Sequence, residues 1–154
     1  MKITNDIKYI GVNDHKIDLF EGQYRVPNGI SYNSYVIMDE KIAVMDTVDL
    51  SKCQEWCDNL EKTLNGKEPN YLVVLHMEPD HAGSIEVFLN KYKSAKVVTN
   101  PKTLQMMPQF FHEADFSSRI IIVKEGAFLF TDFISLLSSF IRFPARSVMY
   151  DFPS

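Results

Sequence analysis

Tyr71-Leu72-Val73-Val74-Leu75-His76-Met77-Glu78-Pro79-Asp80-His81-Ala82-Gly83-Ser84 is the stretch on which the reading of this chain turns. Its first five residues form a continuous apolar run, the pattern of a buried strand, and Ile85-Glu86-Val87-Phe88-Leu89 opens a helical pattern just beyond it. Between them two imidazoles and two carboxylates fall within six residues, spaced His-x-Glu-x-Asp-His. A strand end running into a loop is where an α/β scaffold displays its chemistry.

Side chains alternate along an extended backbone, so His76, Glu78 and Asp80 are expected on one side, with His81 completing a second cluster. One metal would take His76 and Glu78, and the other Asp80 and His81. Nitrogen-rich donor sets suit zinc, whereas an even mix of imidazole and carboxylate suits iron or manganese about as well. Each metal would need further partners from elsewhere in the chain. The competing reading makes all four residues solvated loop side chains. Four ligand types at this spacing, directly after a buried strand and before Gly83, outweigh it.

The surroundings are those of a folded protein. The 154 residues are 45% hydrophobic and 23% charged, which suits one domain with a sizeable core. A net charge of −4 with scattered basic residues leaves no footprint for nucleic acid. The N-terminal Met1-Lys2-Ile3-Thr4-Asn5-Asp6 lacks the apolar centre of a signal peptide, and no apolar run reaches membrane-spanning length. A cytoplasmic location is therefore expected, with Cys53 and Cys57 reduced.

Upstream, the pattern predicts strands over Ile7–Val12 and Ile17–Phe20, then a loop from Glu21 to Gly29. A long strand over Ile30–Met38 follows, closing a hairpin with Ile42–Asp46 through Asp39-Glu40-Lys41. Asp49 or Ser51 can cap a helix to about Leu64, with Trp56, Leu60 and Leu64 on its buried face and Gly66 past its end. Cys53 and Cys57 share a neighbouring face. A metal or redox reading of them lacks further ligands, so buried or half-buried thiols are expected.

Downstream, a helix over Ser84–Tyr92 leads to a strand at Lys96–Thr99. A helix starting at Pro101 turns Leu104, Met107 and Phe111 inward, and Met106, Met107, Phe110 and Phe111 form a core cluster. His112 reads as surface. Ile120–Val123 is a further buried strand, ended by Lys124-Glu125-Gly126. Strands alternating with helices indicate the α/β class. After Gly126 the periodicity dissolves, and 127–154 reads as a divergent tail.

His76-x-Glu78-x-Asp80-His81 resembles the first metal motif of the flavodiiron proteins, or A-type flavoproteins. The likeness extends back through Leu19–Tyr24, Ser31–Tyr35 and Ala43–Val48, and forward to Val123–Gly126, about four-fifths of the chain. The resemblance implies a metallo-β-lactamase-like αββα sandwich, of which residues 1–126 would be the N-terminal part. It implies oxygen or nitric oxide reduction at a non-haem diiron site, with His76 and Glu78 on one iron and Asp80 and His81 on the other. No catalytic residue beyond these metal ligands and no cofactor-binding residue is assigned. Glu78 stands where the hydrolytic branch of the superfamily carries a second histidine, which sets a zinc hydrolase behind the iron reading.

The family draws three more ligands from later in the chain, the first expected near residue 144. Here Arg142-Phe143-Pro144 stands instead, no histidine follows His112, and Asp151 lies too close to serve as the bridge. The expectation is a partial diiron site, without a flavodoxin-like domain and with FMN not bound by this chain. A flavodoxin- or rubredoxin-like donor would supply electrons, and an uncovered sheet face would favour homo-oligomers or aggregation. A non-catalytic truncated relative is the alternative reading.

Overall fold

The computed structural model describes residues 5–20, 22–110 and 117–123, all within one compact unit of residues 1–124. The segments 111–116 and 124–154, with Phe111, His112, Arg142, Phe143, Pro144, Asp151 and the divergent tail, lie outside the described residues.

Six strands make the central sheet: β1 (Ile7–Tyr9), β6 (Tyr35–Ile37), β7 (Ala43–Met45), β8 (Tyr71–Val73), β9 (Lys96–Thr99) and β10 (Ile120–Ile122), in that spatial order. β1 and β7 both run antiparallel to β6, with Ile7 opposite Ile37 and Tyr35 opposite Met45. From β7 onward every neighbour is parallel, Val44 standing opposite Leu72 and Leu72 opposite Val97. Each parallel step is bridged by helix: α1 (Cys53–Leu64), then α2 (Pro79–Ala82) with α3 (Ile85–Lys91), then α4 (Pro101–Phe110). This is the α/β architecture that the alternating pattern predicts.

The core forms where the helices meet the sheet. Trp56, Leu60 and Leu64 of α1 join Phe88 and Leu89 of α3, Met107 of α4, and Val36, Val44, Leu72 and Val97 of the strands in one buried cluster. Ile37, Ala43, Met45, Val73 and Val98, which alternate with those strand residues, are buried as well. Central strands that exclude water on both faces read as unbroken apolar runs, and these do.

Two expected strands are each broken into two. Ile7–Val12 divides into β1 and β2 (Val12–Asp14), and Ile30–Met38 into β5 (Ile30–Tyr32) and β6. β2 and β5 pair with each other in a separate ribbon, Val12 opposite Tyr32, so the chain leaves one sheet and enters another at both breaks. Gly11 permits the first: a Cβ there would lie 2.2 Å from the Tyr32 carbonyl oxygen. Ser34, fully buried, fixes the second by turning its hydroxyl to the backbone of the next strand. The presumed loop after Phe20 contains a small hairpin, β3 (Leu19–Phe20) with β4 (Tyr24–Arg25).

A 3-10 turn at Leu50–Lys52 precedes α1, and Asp49 caps it by accepting the Ser51 N–H at 2.8 Å. Asn65 and Gly66 close α1 in left-handed conformations. Lys52 Nζ pairs with the buried Asp14 Oδ1 at 3.1 Å, tying the β2–β5 ribbon to the start of α1.

Candidate metal centre

The candidate site lies at the C-terminal ends of the adjacent parallel strands β7 and β8, where open α/β sheets present ligand sites. Two loops build it, one after each strand. The first begins with Asp46, at φ 54°, a left-handed conformation that a non-glycine residue holds at a cost of about 1–3 kcal/mol. Its N–H donates to the Val73 carbonyl at 2.9 Å, and its Oδ1 accepts the Leu75 N–H at 2.8 Å. Behind it the Ser34 hydroxyl lies 3.1 Å from the Met45 carbonyl and 2.9 Å from that of Asp46, while accepting the Trp56 indole N–H at 3.0 Å. The strain is thus held by a buried polar network.

Thr47 then clamps the second loop. Its N–H and its hydroxyl both donate to the His81 carbonyl at 2.8 Å, and its oxygen accepts the Ser84 N–H at 3.3 Å. The loops pack so closely that only glycine fits at position 83, where a Cβ would lie 2.7 Å from the Leu50 nitrogen and from the Pro79 carbonyl oxygen. Met77 is buried and pins the loop to the core from within.

The expected extended run through Asp80 is not what forms. Pro79 opens a single helical turn, Pro79–Ala82, so Asp80 no longer alternates with His76 and Glu78. The turn sorts the four residues as the sequence suggested by a different route. His76 Nε2 lies 3.3 Å from Glu78 Oε1, and His81 Nε2 lies 3.4 Å from Asp80 Oδ2. The two imidazoles stack in near-parallel planes, 9° apart with centroids at 5.6 Å. The outer pair is about half exposed, whereas the side chains of His81 and Asp80 are 25% and 15% exposed.

Asp46 belongs to this inner pair, and sequence reasoning missed it. Its Oδ2 is 3.5 Å from His81 Nδ1. The Asp46 carboxylate pushes the His81 imidazole's pKa up, against the opposing effect of burial, and Asp80 and Glu78 add to the rise. The available signal was an acidic residue directly at the end of the apolar run Ala43-Val44-Met45. Tyr32 is buried nearby. Desolvation pushes its phenol up to about 12, with the charges of Asp49, Asp14 and Asp80 contributing, so it stays protonated at neutral pH.

Among the described residues no three His, Cys, Asp or Glu side chains converge closely enough to enclose an ion. The residues present nevertheless suit a cation. Asp80 Oδ1 is buried without a hydrogen-bond partner, a cost of about 1–3 kcal/mol, whereas His81 Nδ1 faces the Asp46 carboxylate at 3.5 Å. A buried carboxylate oxygen left so favours a positive charge beside it.

Comparison with known proteins gives the class first. Residues 30–154 match the family described as ODP family beta lactamase, and the chain belongs to that β-lactamase-like family of the flavodiiron proteins. An anaerobic nitric oxide reductase flavorubredoxin from Vibrio vulnificus is 26% identical over 120 residues, 77% of this chain and 24% of that protein. An uncharacterized protein of Methanocaldococcus jannaschii is 32% identical over 126 residues, 82% of this chain and 31% of its own length.

Among solved structures, rubredoxin oxygen:oxidoreductase from Desulfovibrio gigas superposes with a TM-score of 0.77 at 29% identity, over 82% of this chain and 31% of that one. The flavodiiron protein from Giardia intestinalis superposes at 0.75 and 27%, over 83% and 31%. The chain therefore spans about a quarter to a third of the length of these relatives. No helix among the described residues is long and apolar enough to cross a membrane.

Proposed function

We propose that this chain contributes the first ligands of a non-haem diiron oxidoreductase centre that reduces oxygen, nitric oxide or both. His76 and Glu78 would hold one iron, and Asp80 and His81 the other. The observation that carries this reading is the sorting of the loop into two imidazole–carboxylate pairs whose rings stack at 5.6 Å. When bound, the iron pair would supply the gas-binding position and the redox chemistry.

The chain's own residues do the rest. Glu78 and Asp80 offset cationic charge, Asp46 orients the His81 ring from behind, and the Thr47 clamp fixes the backbone of the loop. Residues 1–126 would form the N-terminal part of the metallo-β-lactamase-like domain, and the family match runs on through 127–154. The remaining ligands would come from outside the described residues. Electrons would arrive from an FMN-bearing flavodoxin-like unit or a rubredoxin-like donor.

Anaerobic reconstitution with ferrous iron, followed by iron analysis per chain and gas uptake under a reduced rubredoxin, tests this. Retained iron that is lost in His76→Ala and His81→Ala supports the reading. Preferential zinc uptake with hydrolysis of simple esters would replace it with a metallo-hydrolase. Failure to retain any metal would leave a relative that keeps the motif without the chemistry.

A further inference from the structure

The candidate iron centre makes no use of the two cysteines of α1. Cys53 is buried and Cys57 half-buried, one helical turn apart, with their sulfurs 3.9 Å from each other. Burial pushes the Cys57 thiol up to about 11, with Cys53 reinforcing the shift, so it is a poor nucleophile at neutral pH. A disulfide is also opposed by the helix. Cβ atoms four residues apart on a helix stand roughly 5–6 Å apart, whereas a disulfide needs about 3.5–4.5 Å. Zinc fits no better, because a structural zinc site closes with four ligands and no three converge among the described residues.

A soft monovalent cation makes smaller demands. Soft thiolates select it, and two of them suffice. At metal–sulfur bonds of about 2.3 Å, sulfurs 3.9 Å apart subtend roughly 115°, which small side-chain rotations open toward a straight S–metal–S arrangement. The partly open flank of Cys57 gives a way in. Lys91 at the end of α3 and Tyr92 just after it lie close enough to that flank for their charges to act on Cys57 or be acted on by it.

We propose that Cys53 and Cys57 form a two-thiolate site for a soft monovalent cation of the Cu(I) class, separate from the His76–His81 loop. Binding replaces two S–H bonds by two S–metal bonds and releases two protons to solvent, with no change of oxidation state. The resulting bis-thiolate complex carries one negative charge, near the Lys91 ammonium that also pairs with Glu61.

The test is anaerobic titration of the full chain with Cu(I), supplied as its acetonitrile complex, against the chromogenic chelator bathocuproine disulfonate. The expected result is uptake of one Cu(I) per chain, with ultraviolet thiolate-to-copper charge transfer and protection of both thiols from N-ethylmaleimide by mass spectrometry. His76→Ala/His81→Ala should keep that uptake, and Cys57→Ser should lose it. Undiminished uptake by Cys57→Ser overturns the proposal. So does free alkylation of both thiols in the unaltered chain at one equivalent of Cu(I), a readout that stands even where a cysteine variant fails to fold.

Discussion

Asp46 carries two burdens in one residue. Its backbone sits in the left-handed region, where an L residue is strained, and its side chain must reach both the Leu75 N–H and the His81 ring. Asparagine tolerates that conformation and keeps an oxygen for Leu75, but it removes the negative charge behind His81. Asp46→Asn is therefore expected to fold and to bind ferrous iron about 10–100-fold more weakly, by the usual cost of losing a ligand's supporting carboxylate. Iron affinity measured beside thermal unfolding separates the two effects. Gly83 is the reverse case. Its φ of −57° suits any residue, yet a methyl group has no room against the Leu50 and Pro79 backbones. Gly83→Ala should cost about 1–3 kcal/mol in denaturant unfolding.

The Cys57 thiol supplies a pH dependence of known sign. Its folded pKa, about 11, exceeds the ordinary value of 9.0, so the folded state favours the neutral thiol. Between those values the unfolded chain gives up its proton first. Stability is then fully present below about pH 9 and declines as pH rises toward 11. Urea titrations across that window should show the decline, and Cys57→Ser should remove the thiol's share of it.

At the scale of elements, the sequence was most legible where one period governs one element. α1 is the clearest case: Trp56, Leu60 and Leu64 repeat at helical spacing, and all three are buried. Truncating Trp56 removes both core volume and the donor that satisfies Ser34, so Trp56→Ala is expected to destabilise by about 3–5 kcal/mol on thermal or chemical denaturation. The runs Ile7–Val12 and Ile30–Met38 misled because local pattern cannot reveal that a chain changes sheets partway along a strand. The cause, Ser34 bonding to carbonyls 11 and 12 residues away, is tertiary. The same limit hid Asp46. The candidate ligands His76, Glu78, Asp80 and His81 stand out because they sit together in sequence; the carboxylate behind them lies 35 positions from His81. Pro79, a residue suited to the first position of a helix, ends the extended backbone before Asp80.

For the molecule as a whole, the unpartnered Asp80 oxygen means that the fold carries an unmet electrostatic demand. A cation that binds the folded chain and not the unfolded one stabilises it by about 2.7 kcal/mol at a hundredfold excess over Kd. For a chain of this size that corresponds to roughly 5–10 °C in Tm. Anaerobic calorimetry with and without ferrous iron should show the shift, and the His81→Ala variant should not. A flat Tm in the unaltered protein would count against metal at this loop.

The Thr47 clamp also sets the smallest piece of this protein that can be moved elsewhere. Its bonds to His81 and Ser84 join parts of the chain 34 and 37 residues apart, and Asp46 in turn leans on Ser34. A peptide copied from residues 71–84 alone would carry the His-x-Glu-x-Asp-His spelling without the loop that gives it shape. During synthesis the same constraint orders events: the ligand loop cannot settle until both β7 and β8 have emerged and paired. For transplantation into another scaffold, the unit of inheritance runs from Ser34 to Ser84, the three strands β6, β7 and β8 with α1 between the last two.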